Sequence, residues 1–375
     1  MKKARKNIEG SEREKYAELR DYLNQILLSN LGSTVHLDTI LMPDSLPLFK
    51  RVYISFEACK KGFVLGCRPF IGLDGTFLKG FYGGQLLTAI GQDANNQIFP
   101  IAYAVMLETR DNWKWFLDHL NNDLGNYMVH GWNFISDQQR LCLEFIIASV
   151  LCIFGIISQR DGRTNNSKGY LNKLDLKNWT KANFSEWPKV DNVTNNNCET
   201  FNGKIVKYRG KPIITMLEEV RTYVMRIVAR NKKILSGYIG TVAPRQLSRL
   251  EREKEETNKW TPTWSGDDAE DIYEVEKHPT KLTGLPCRHA CAALALRGRK
   301  PEEQIHDWLG MHAYNTAYQM NINHSGHNNR TCQQKKDDTL DEEVALVAKA
   351  AAAAAKSQNQ PKQNTGEPTS EVNVA

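Results

Sequence analysis

Long apolar runs are missing from this chain. The longest, from Phe145 to Ile157, is interrupted by Ser and Gly and falls short of the roughly 20 apolar residues that a helical membrane span needs. The N-terminus, Met1-Lys2-Lys3-Ala4-Arg5-Lys6, is polar and has no apolar h-region, so no secretory leader is expected. Cysteine is sparse: eight in 375 residues at irregular spacing, which argues against a secreted disulfide scaffold. A strong charge of one sign is lacking too. The formal net charge of +6 fits a nucleic-acid partner without demanding one, since a mild excess is equally a solvated surface. The cations fall in separate groups: Lys2, Lys3, Arg5 and Lys6; Lys204, Lys207, Arg209 and Lys211; Arg230, Lys232 and Lys233. The expectation is a soluble, intracellular chain, long enough for two domains with a sizeable core.

Against that background two aspartates stand out, each at the end of an apolar run: Asp74 in Phe70-Ile71-Gly72-Leu73-Asp74-Gly75 and Asp137 in Asn133-Phe134-Ile135-Ser136-Asp137. A carboxylate that ends a buried strand costs desolvation energy unless it is paired or binds a cation. Arg68-Pro69 opens the block, Gly83-Gly84 separates a first strand from a second at Gln85–Gly91, and the turn Asp93-Ala94-Asn95-Asn96 leads to a third at Ile98–Val105. Asp111 can then cap a helix with Trp113, Phe116, Leu117 and Leu120 on one face. Three meandering strands, a crossover helix and a fourth strand is the order of a ribonuclease H-like α/β fold. There the first and fourth strands are neighbours, so Asp74 and Asp137 would meet at one edge as a site for hard divalent cations. Taken singly, Asp74-Gly75 reads equally as a hairpin corner and Ser136-Asp137 as a helix N-cap.

Outside this block, residues 11–29 read as an amphipathic helix with Tyr16, Leu19, Leu23, Ile26 and Leu27 on one stripe, followed by short strands at 34–41 and 49–56. Residues 158–169 read as loop. Asn195-Asn196-Asn197-Cys198-Glu199 looks like a helix start, and a second helix is expected over Ile213–Arg230. Residues 245–270 are charged with no clear period, a compact piece spans 271–318, and from Gln333 the composition is that of a disordered tail.

The chain resembles plant Mutator-like element (MULE, MuDR) transposases. The resemblance rests on Tyr16-Ala17-Glu18-Leu19-Arg20-Asp21-Tyr22, Cys67-Arg68-Pro69, Gly72-Leu73-Asp74-Gly75-Thr76-Phe77-Leu78-Lys79-Gly80 and Trp113-Lys114-Trp115-Phe116-Leu117. It continues through Ile135-Ser136-Asp137-Gln138-Gln139, Asn196-Asn197-Cys198-Glu199-Thr200-Phe201-Asn202 and Leu282-Thr283-Gly284-Leu285-Pro286-Cys287-Arg288-His289-Ala290, covering most of residues 9–318. It implies a nuclear DNA strand-transfer enzyme of the DDE type using two Mg2+ or Mn2+ ions, with Asp74, Asp137 and Glu199 as the carboxylates. Glu199 is equally accounted for as an acidic residue in a first helical turn. The resemblance divides the chain into an N-terminal flanking region (1–66), a ribonuclease H-like domain (67–232), a linker with a small ββα SWIM-type zinc-finger remnant (233–320) and a disordered tail (321–375).

Two departures point to a degenerate protein, catalytically weak or inactive. The helical insertion expected between the second and third carboxylates, with its Cys-x-x-His or Asp-x-x-His pair, is cut to a short segment, Leu151–Lys181, as by an internal deletion. The SWIM pattern needs Cys-x-Cys before Cys-x-His; Cys287-Arg288-His289 is intact, but Glu276-Lys277-His278-Pro279-Thr280-Lys281 stands where the first pair should be. His278 and Cys291 are improvised substitutes, so Zn2+ would meet an incomplete ligand set. The alternatives are a domesticated regulatory DNA-binding protein and an active transposase.

Overall fold

The computed structural model describes residues 14–43, 45–80, 83–136, 186–190, 195–259, 263–264, 273–274 and 283–323. Its centre is a six-stranded mixed sheet in the order β1-β2-β5-β4-β3-β6. The strands are β1 (Thr34–Met42), β2 (Ser45–Ser55), β3 (Phe70–Phe77), β4 (Gln85–Gln92), β5 (Ile98–Met106) and β6 (Asn133–Ser136). β3, β4 and β5 form the expected meander, with Asp74 opposite Thr88 and Thr88 opposite Tyr103. β6 returns through a crossover and pairs with β3 in parallel, the one parallel pair among the described strands. The two N-terminal strands extend the same sheet on the far side of β5, an association that sequence periodicity does not reveal.

Helices cover both faces. On one side lie α1 (Glu57–Gly66) and α2 (Arg110–Leu124); on the other lie α3 (Asn196–Ile205) and α4 (Ile213–Ile234). Gly91 faces α1, where a Cβ would lie 2.6 Å from the Phe63 ring, whereas Gly72 faces α3. α2 is capped by Thr109, not by Asp111 as expected: the Asn112 N–H donates to Thr109 Oγ1 at 3.2 Å, and Thr109 has the extended backbone of a cap. Asp111 instead sits in the first turn, where a negative charge suits the helix dipole. The N-terminal helix is regular over Leu19–Ser29, with Leu19, Tyr22, Leu23 and Ile26 buried. The stretch read as aperiodic contains α5 (Pro244–Glu255). Only Leu247 and Leu250 give it an apolar signal, because its third inward side chain is Gln246, buried through hydrogen bonds.

The C-terminal part packs back onto the sheet domain. Helix α6 (Met311–Ala317) lies against α1, and only glycine permits the approach. A Cβ on Gly62 would sit 2.2 Å from the Ala317 carbonyl oxygen, and one on Gly66 2.3 Å from the Ala317 nitrogen. Packing reaches past residue 320, beyond which a disordered tail is expected: Ile322 is buried and Asn323 donates its N–H to Asn30 Oδ1 at 2.7 Å. The region read as a disordered tail lies, from residue 324, outside the described residues.

Asp93, read from sequence as part of a surface turn, is fully buried at this junction. Its Oδ1 accepts the Asn95 and Gln97 N–H groups at 2.9 and 2.7 Å, and its Oδ2 accepts the Tyr318 hydroxyl at 2.7 Å. Asn231 of α4 donates to Tyr318 at 2.7 Å, and buried Arg68 donates to the Asp93 carbonyl at 2.7 Å. Burial pushes the Asp93 carboxyl up to about 6, although these hydrogen bonds and the Arg68 charge favour the anion. Its folded value therefore lies above the unfolded value of about 3.9. The stability it contributes is fully present below about pH 4 and is lost as pH rises towards about 6, opposite to a salt-bridged carboxylate. The whole swing is at most about 3 kcal/mol. Urea unfolding of wild type and Asp93→Asn should show the wild-type advantage shrinking from pH 4 to pH 6.5; an advantage that grows with pH would contradict it.

Candidate active site

Asp74 lies on β3 where its described pairing with β6 ends, at Leu73 opposite Ser136. Asp137, and with it the expected meeting of the two carboxylates, lies outside the described residues. The face of β3 that carries Asp74 is covered by α3. The helix approaches closely because residue 72 is glycine: a Cβ there would lie 2.6 Å from Cys198 Sγ and 3.2 Å from Asn195 Oδ1.

This contact decides which side chains reach Asp74. Asn195, preceding the helix, donates Nδ2 to the Leu73 carbonyl at 3.0 Å. Two turns on, Asn202 donates Nδ2 to Asp74 Oδ2 at 2.5 Å, while the Gly75 N–H donates to Oδ1 at 2.7 Å. Glu199, expected as the third carboxylate, is exposed on the first turn of α3. Sequence reasoning missed Asn202 although it quoted the residue. The signal was its place three residues after Glu199, inside the buried stripe Cys198, Phe201, Asn202, Ile205. Among the described residues, Asn195 Oδ1 and Asn202 Oδ1 are buried without a hydrogen-bond partner. Carboxylate and amide oxygens are of the chemistry that Mg2+ or Mn2+ takes; of these side chains, Asn202 bonds Asp74 itself and Asn195 bonds the backbone beside it.

Near the C-terminus an antiparallel pair, Thr263–Trp264 with Tyr273–Glu274, precedes helix α7 (Arg288–Leu296). Cys287 is the residue before this helix and His289 its second, and Cys287 Sγ lies 3.8 Å from His289 Nδ1. Tetrahedral zinc at about 2.3 Å from sulfur and about 2.0–2.1 Å from nitrogen separates such ligands by about 3.6 Å, so these two fit half a site. Cys291 does not extend it. Its thiol points to the Pro286 carbonyl at 3.8 Å, and burial pushes it up to about 12, against the thiolate a metal needs. His278 lies outside the described residues. Glu253 holds the head of α7, accepting the Arg288 N–H at 3.0 Å and its Nε at 3.1 Å. Among the described residues, no group of three or more His, Cys, Asp or Glu side chains is placed to hold a metal ion.

The family model of the MULE transposase domain matches residues 70–157. The matched segment starts at the first residue of β3 and takes in Asp74 and Asp137; Glu199, Cys287 and His289 lie beyond it. It supports a protein related to Mutator-like transposases. No curated protein and no solved structure matches the chain.

The Gly72–Cys198 contact makes a direct prediction. Gly72→Ala should destabilise the fold by about 1–3 kcal/mol, the usual cost of overpacking, because the obstructing sulfur is itself fully buried. Adding Cys198→Ala should recover part of that loss, measured as a double-mutant cycle in urea; strictly additive losses would show that the two positions do not meet.

Proposed function

We propose that this chain is a transposase-derived DNA-binding protein of ribonuclease H-like architecture, acting in the nucleus, whose strand-cleaving chemistry is weak or lost. The observation that carries the reading is a coincidence: the matched transposase segment begins with β3, and within it β3 and β6 pair in parallel up to the residue before Asp137. That order supports a carboxylate site at the edge the two strands share. The family makes DNA the partner, and no described helix is long and apolar enough to cross a membrane.

A divalent ion held by Asp74 and Asp137 would supply Lewis-acid polarisation of a phosphate oxygen and a more acidic water. The chain's own part is to fix Asp74. Both carboxylate oxygens accept a hydrogen bond from the protein, so an ion competes with Asn202 and with the Gly75 N–H for the same lone pairs. That competition, with Glu199 turned to solvent, supports weak rather than full catalysis. It also favours the second reading, a regulatory DNA-binding protein descended from a transposase. The ββα order before and into α7 supports a SWIM-type remnant with partial zinc chemistry, Cys287 and His289 being its surviving ligands.

Two measurements test this. Supercoiled plasmid incubated with the protein and Mn2+ should be bound but nicked no faster than background; Mn2+-dependent nicking abolished by Asp74→Ala would mean that the chemistry survives. For zinc, the purified protein should hold well under one ion per chain, and Cys287→Ser should change stability by no more than about 0.5 kcal/mol. One tightly held zinc, lost on that substitution, would restore the closed site.

A further inference from the structure

The end of α3 and the turn after it carry Lys204, Lys207 and Arg209, and the segment leaving β3 carries Lys79. Remote in sequence, the two segments are bound together in the fold. The Lys79 N–H donates to the Arg209 carbonyl at 2.7 Å, and the Arg209 guanidinium donates to the Thr76 hydroxyl and, at 3.2 Å, to the Phe77 carbonyl. Thr76 lies two residues beyond Asp74 and so on the same face of β3. The cations therefore gather on the side of the sheet that carries Asp74, at the end of the helix whose Asn202 holds it.

Their charges are available. Lys79, Lys204 and Lys207 are exposed and form no ion pair among the described residues. Lys207 rests its ammonium 5.1 Å from the Tyr208 ring centroid, which limits how far it swings. Lys211 is different: Glu219 holds it at 2.5 Å, so it is left out of the set.

We propose that Lys79, Lys204, Lys207 and Arg209 form a ledge that takes the phosphate backbone of duplex DNA and leads it to Asp74. This rests on the DNA reading above and adds to it the surface that DNA occupies. Exposed lysines act on phosphates as point charges and read no bases, so the ledge positions DNA without choosing its sequence. Arg209 ties it to the strand that bears the carboxylate, and each neutralised phosphate releases counterions, which makes binding salt-dependent.

The test is fluorescence anisotropy of a labelled duplex titrated with the full chain over a series of KCl concentrations. The variant K79Q/K204Q/K207Q should lower the slope of log K against log salt by about 0.9 per lysine, equally on unrelated sequences. K61Q/K114Q, on the opposite helical layer, should keep the wild-type slope. Wild-type binding with an unchanged slope in the triple variant would overturn the ledge and leave the DNA reading standing. No salt-dependent binding by the wild type would overturn the DNA reading itself. Tighter binding of an RNA duplex of the same sequence would overturn DNA as the occupant.

Discussion

The carboxylate of Asp93 is the point on which the rest of the molecule hangs. It closes its own turn through the Asn95 and Gln97 N–H groups and reaches out of it to Tyr318, so one buried side chain both shapes the β4–β5 connection and anchors the C-terminal segment. The surroundings are polar to match. Arg68 bonds the backbone of that turn, Gln246 donates to the Ala94 carbonyl at 2.9 Å, and the Arg245 N–H donates to Asn95 Oδ1 at 2.9 Å. Such a network is costly if half satisfied and specific when complete, since each member fixes the next.

Close backbone approach is the second device, and it serves both ends of the sheet domain. Gly62 and Gly66 admit α6 to α1, and Gly72 admits α3 to β3. Each contact sets where a functional or tethering side chain arrives. α6 leads into Tyr318 and its bond to Asp93, while α3 delivers Asn202 to Asp74. Packing here does the work of orientation.

The meander, the crossover helix and the parallel return of β6 were legible because each has a local signature: apolar runs of strand length, glycine or Asx turns, and a helical stripe around Trp113 and Phe116. Asp74 was legible for a related reason, as a charge where an apolar strand should continue. What could not be read was set by contacts remote in sequence. β1 and β2 join the sheet through β5, which no periodicity of their own announces. Asp93 has the composition of a surface turn, and only the arrival of Tyr318 and Arg68 makes its burial tolerable. α5 escaped because one of its few inward side chains, Gln246, is polar, and the period-3.6 test counts apolar residues only.

The exchange of Glu199 for Asn202 at Asp74 has a geometrical cause. At about 100° per residue, Glu199 lies about 60° round α3 from Asn202. It sits at the rim of the stripe formed by Cys198, Phe201, Asn202 and Ile205, on the side nearer Asn202. Rolling the helix by that angle would bring Glu199 towards β3 and carry Asn202 past it. The roll is opposed by the contact that brings the helix so near, because Cys198 is seated over Gly72 and Phe201 and Ile205 are buried beside it. A looser fit between α3 and β3 would let Glu199 turn in, at the cost of the bonds from Asn195 to Leu73 and from Asn202 to Asp74. Close packing of α3 on β3 is therefore what selects Asn202 as the side chain bonded to Asp74.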